Sequence, residues 1–67
     1  MMTEEEIRQM LEGWKLEKKE WVEELRKEKN KPPVWRDESY IEECRVQIAV
    51  CRAVIKVLEQ ILGGGGG

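Results

Sequence analysis

Between residues 7 and 28 the chain repeats a simple rhythm. Ile7, Leu11, Trp14, Lys18, Trp21, Leu25 and Glu28 follow one another at alternating steps of four and three. Those steps keep side chains on one face of an α-helix and match heptad packing. The face is imperfect, because Lys18 interrupts it and Gly13 costs about 1 kcal/mol relative to alanine inside a helix. Upstream, Thr3 followed by Glu6 is a capping box, and Glu4, Glu5 and Glu6 suit the positive end of the helix dipole. The pattern predicts a first helix over about 4–29.

A second rhythm runs from Ile41 through Cys44, Ile48, Cys51, Ile55 and Leu58 to Leu62, again at steps of three and four. It predicts a second helix over about 39–62, opened by Ser39 and Glu42 as a capping box with Asp37 as the competing cap. Asn30-Lys31-Pro32-Pro33 ends the first helix, since Pro32 disfavours helical backbone at Lys31 and neither proline has an N–H to donate. The turn, 30–38, is short enough to force the helices antiparallel. Val34 and Trp35 are expected to fold back and close the end of the core. The fold class is therefore all-α, an antiparallel two-helix hairpin.

The second helix has more apolar surface than one partner covers. Val46, Val50, Ala53 and Val57 make another stripe roughly opposite the first, while Tyr40, Val54 and Ile61 widen the main seam. A helix that is apolar most of the way round is a buried helix. The simplest cover is a second copy, so the hairpin is expected to self-associate into a homodimeric four-helix bundle with helix 2 at its centre. The expected oligomer interface is Ile41, Cys44, Ile48, Val50, Cys51, Val54, Ile55, Val57, Leu58, Ile61 and Leu62.

Size strengthens this expectation. Of 67 residues the last five are glycines, a tail (63–67) that reads as a flexible expression linker. A chain this short buries a small share of its surface and usually needs a disulfide, a metal or a partner subunit. Its charge is uneven: local sums are −4 over 1–25, +4 over 26–36 and −2 over 37–62, for a net charge of −2. The amino terminus lacks the basic-then-apolar run of a secretory signal, and Arg45, Arg52 and Lys56 break the longest apolar segment. A cytoplasmic location without a membrane span is expected, with reduced thiols.

Candidate chemistry is sparse. Cys44 and Cys51 stand seven residues apart, about 10.5 Å along a helix, too far for an intrahelical disulfide. Two antiparallel copies crossing near Ile48 would bring the cysteines together for zinc or a disulfide, but the spacing is not that of a zinc finger. Core filling is the favoured role, and no metal or cofactor is expected. Trp14 and Trp21 also read as packing, although they could wall a planar ligand. The basic turn, Arg26, Lys27, Lys29, Lys31 and Arg36 around Trp35, suits phosphates and stacked bases. Its plainer reading is charge stabilisation of the helix carboxyl end.

Arg45 and Arg52, one heptad apart, are expected to pair with Glu17, Glu20 or Glu24, or else to clamp an anion in a cleft between subunits. With no histidine, one tyrosine and no activated nucleophile, catalysis is not expected. The function expected is a small non-enzymatic interaction protein, a regulator or inhibitor built on a homo-oligomer, with another protein as a further partner. Two alternatives are an anion binder holding a nucleotide or nucleic acid, and a purely structural oligomerisation module.

Overall fold

A computed structural model of the chain describes residues 2–63. Two helices, α1 (Glu4–Lys29) and α2 (Glu38–Leu62), are joined through a 3₁₀ turn at Pro33–Trp35. Glu28 meets Asp37, Glu24 meets Tyr40 and Lys15 approaches Glu59, so numbers fall along α1 as they rise along α2. The chain is an all-α antiparallel hairpin. The tail expected at 63–67 lies, beyond Gly63, outside the described residues. Among those residues no helix is long and apolar enough to cross a membrane.

The first helix begins as its sequence dictates. Thr3 Oγ1 accepts from the Glu6 N–H at 3.2 Å, and the Thr3 N–H donates to Glu6 Oε1 at 3.1 Å. This reciprocal box satisfies two of the donors that any helix start leaves without a partner. Arg8, one turn in, bonds Glu4 at 2.6 Å. The second helix departs from expectation. Its cap is Asp37, whose Oδ1 accepts from the Tyr40 N–H at 3.1 Å, and the Ser39–Glu42 box does not form. The reason lies in the preceding helix: Glu28 Oε2 accepts from the Asp37 N–H at 2.9 Å and fixes the cap two residues earlier.

Glu28 also corrects the reading of the turn. Val34 and Trp35 do not fold back; they are 90% and 74% exposed. The prolines carry the chain outward through Trp35 N–H to Pro32 C=O at 2.8 Å and Arg36 N–H to Pro33 C=O at 3.4 Å. Glu28, only 6% exposed, closes the end of the seam instead. Its Oε1 accepts from Lys31 Nζ at 3.0 Å while its Oε2 holds Asp37. Both donors favour the anion, the Asp37 N–H most, and hold this carboxyl below its usual range.

Between the helices the buried apolar residues are Leu11, Ile41, Cys44, Cys51 and Leu58. Trp14, Lys18, Trp21, Val22 and Leu25 are half-buried along the α1 side. The two cysteines are the largest side chains to be fully enclosed, which makes a narrow and thin core. The hairpin is elongated, measuring 49 × 18 × 17 Å overall with the turn included. Its accessible surface is 5317 Å², whereas a compact monomer of 7.9 kDa should expose about 4,400 Å². The hairpin alone leaves surface unburied.

Candidate functional site

Beside the isolated Leu16 and Met10 of α1 and the turn residues Val34 and Trp35, the exposed apolar surface forms a continuous stripe on α2. Val46, Val50, Val57 and Ile61 are 44 to 54% exposed, with Ala53 exposed among them. At 100° per residue these five fall within about a quarter of the helix circumference, on the edge of the hairpin turned away from α1. Of the expected interface residues, Ile41, Cys44, Cys51 and Leu58 are already covered within the hairpin. Ile48, Val54, Ile55 and Leu62 are half-buried, while Val50, Val57 and Ile61 lie open.

Two shallow grooves mark the broad faces of the hairpin. One, of about 370 Å³, is lined by Met10, Gly13, Trp14 and Glu17 from α1 and Gln47 from α2. A Cβ at Gly13 would meet nothing within 4 Å, so the glycine leaves this groove open. The same face carries the Tyr40 hydroxyl, which donates to Glu24 Oε2 at 3.3 Å, and Trp21 Nε1, which donates to Glu17 Oε1 at 3.2 Å. Burial first, then the Glu24 charge, pushes the Tyr40 phenol up to about 12. The other groove, of about 520 Å³, is lined by Lys15, Lys18, Lys19, Val22, Ile55 and Glu59. Lys15 stands 4.0 Å from Glu59 across it.

This division explains why the expected arginine pairs do not form. Arg45, Arg52 and Glu59 are successive heptad steps and share a flank of α2, facing the lysines of α1. Glu17 and Glu24 lie on the opposite flank with Gln47 and Tyr40, and neither bonds an arginine. Among the described residues, no carboxylate stands within 4.0 Å of Arg45 or Arg52.

The chain matches no known family, curated protein or solved structure. Its surfaces therefore have to be read from their own chemistry.

The basic turn is partly spent on the turn itself. Lys31 is held by Glu28, Arg36 Nε donates to the Lys31 carbonyl at 2.9 Å, and Lys27 lies 3.8 Å from Glu24. Arg26, Lys29 and Trp35 are exposed around it. Cys44 and Cys51 are free thiols, 0% and 1% exposed, and burial pushes both up from the ordinary thiol value. Among the described residues, no three His, Cys, Asp or Glu side chains are placed to hold a metal ion. Glu28, besides the misplaced Val34 and Trp35, is a structural residue whose role sequence reading missed. Its only signal was a carboxylate at a seam position just before a proline turn.

Proposed function

We propose that this chain is a small non-enzymatic interaction protein that acts as a homo-oligomer, with the α2 edge of one copy covering that of another. The exposed stripe of Val46, Val50, Ala53, Val57 and Ile61 carries this reading. Its order nearly survives reversal. In an antiparallel pair Val46 faces Ile61, Val50 faces Val57, and the small Ala53 sits near the two-fold axis, as a self-complementary interface requires. Four half-exposed side chains per copy give eight on pairing. At about half of the ~1.5–3 kcal/mol for full burial, they supply roughly 6–12 kcal/mol. Association itself costs an estimated 4–15 kcal/mol, roughly the same magnitude, so the assembly should respond to dilution.

The test is molecular mass by light scattering along a dilution series, with helicity followed by circular dichroism. A multimer of the 7.9 kDa chain that loses helix as it dissociates is the expected result. Val50→Asp should abolish assembly and folding together. A well-folded monomer at every concentration, or a soluble helical monomer from Val50→Asp, overturns the reading.

The position of the two arginines supports a second reading. Arg45 and Arg52 flank the stripe and, among the described residues, have no carboxylate within 4.0 Å, so pairing would bring four guanidinium groups to the rim of the interface. Such a rim suits the phosphates of a nucleotide. Titration calorimetry with ATP on the assembled protein tests it, and the absence of heat would dismiss it.

A further inference from the structure

The net charge of −2 conceals an uneven spread of cations over the two broad faces of the hairpin. On α1, Arg8, Lys15, Lys19 and Arg26 follow at steps of seven, four and seven, a basic column about 27 Å long at 1.5 Å per residue, with Glu12 and Glu23 on its flank in the two longer gaps. Lys15 and Lys19 line the groove that Glu59 closes from α2, and Arg52 and Arg45 lie one and two heptads before Glu59 on that flank. All of these cations are exposed. Arg8 bonds Glu4 and Lys15 approaches Glu59; among the described residues, Lys19, Arg26, Arg45 and Arg52 have no carboxylate within 4.0 Å. The other face holds Glu17 beside Gln47, Glu24 between Tyr40 and Lys27, and Glu28 on Lys31.

We infer that the face combining the α1 column with Arg45 and Arg52 binds the phosphate backbone of a nucleic-acid duplex, without reading its sequence. On this face the six exposed cations outnumber Glu4, Glu12, Glu23 and Glu59, so its near surface stays positive within the 8–10 Å over which charge is felt in salt. Packed helices stand about 8–10 Å apart, and long basic side chains on two such columns can bracket a groove about 12 Å wide. The aromatic side chains argue against a single strand. Trp14, Trp21 and Tyr40 belong to the acidic side through Glu17 and Glu24, which leaves, among the described residues, no ring along the column for successive bases to stack on; the exposed Trp35 lies in the turn, beyond the Arg26 end. An anionic membrane fits less well, because the exposed valines and Ile61 lie on the edge rather than on this face.

The test is fluorescence anisotropy of a labelled 20-base-pair DNA duplex titrated with the intact protein over a range of salt concentrations. Neutralising about four to six phosphates predicts a log–log salt slope of roughly −4 to −5. Arg45→Gln with Arg52→Gln, and separately Lys15→Gln with Lys19→Gln, should each weaken binding at least tenfold and flatten that slope by about 2. Circular dichroism and light scattering on the same samples should show helix and mass unchanged, which separates this surface from self-association through the edge. Lys27→Gln with Arg36→Gln, in the turn, should leave binding intact. No anisotropy change at low salt, a salt-independent affinity, or loss confined to the turn variant overturns the inference. So does binding to ATP or to phosphatidylserine vesicles without binding to the duplex.

Discussion

Glu28 stands at a seam position where heptad packing calls for an apolar side chain. It is tolerated because the turn brings two donors to its two oxygens, Lys31 Nζ at 3.0 Å and the Asp37 N–H at 2.9 Å. A nearly buried carboxylate without such partners would be strongly destabilising. Glutamine keeps the shape but offers only one acceptor, so Glu28→Gln should lower the melting temperature by several degrees at neutral pH. The sign with pH follows from the depressed titration. The folded carboxyl titrates below its ordinary value of 4.5, so its contribution is complete above that value and fades as pH falls through the folded one. Thermal melts of the two proteins should therefore converge in acid; a constant gap would show that charge is not the cause.

At the level of elements, each helix end shows which signals decide. The Thr3–Glu6 box reads directly from sequence because all its partners lie within one turn. The start of α2 offered two caps, Asp37 and Ser39, and local chemistry could not rank them. The ranking comes from Glu28, nine residues earlier, which binds the Asp37 N–H and makes that residue the last before the helix. Asp37→Ala should accordingly cost about 0.5–2 kcal/mol in a urea titration, whereas Ser39→Ala should cost almost nothing. Equal losses from both would return the cap to the Ser39 box. The displacement of Val34 and Trp35 has a similar origin. Two prolines fix an outward path, and side-chain hydrophobicity alone does not reveal where a short turn points.

For the whole molecule, the hairpin is legible because two heptad stripes joined by a proline turn admit few other packings. The stripe on the α2 edge is legible too, being a second period on the same helix. The uneven spread of cations over the broad faces is not. It depends on which flank of α2 lies beside Lys15 and which beside Glu17, a rotation set by packing and by the turn. The expected pairing of Arg45 and Arg52 with Glu17 or Glu24 fails for that reason alone: the residue types were complementary, but the flanks were not.

The enclosed cysteines at the waist of the hairpin have one more consequence. Cys44 and Cys51 are sealed by α1, and their thiols are held protonated past the ordinary value of 9.0. A thiol reagent attacks only the exposed thiolate, so both must wait for the helices to part. The rate of maleimide labelling at neutral pH thus counts how often the hairpin opens. If the α2 edges of two copies hold each other shut, that count should fall as protein concentration rises and approach the rate of the urea-unfolded chain on dilution. Rapid labelling at every concentration would mean that the two helices of this hairpin breathe freely, whatever lies along its edge.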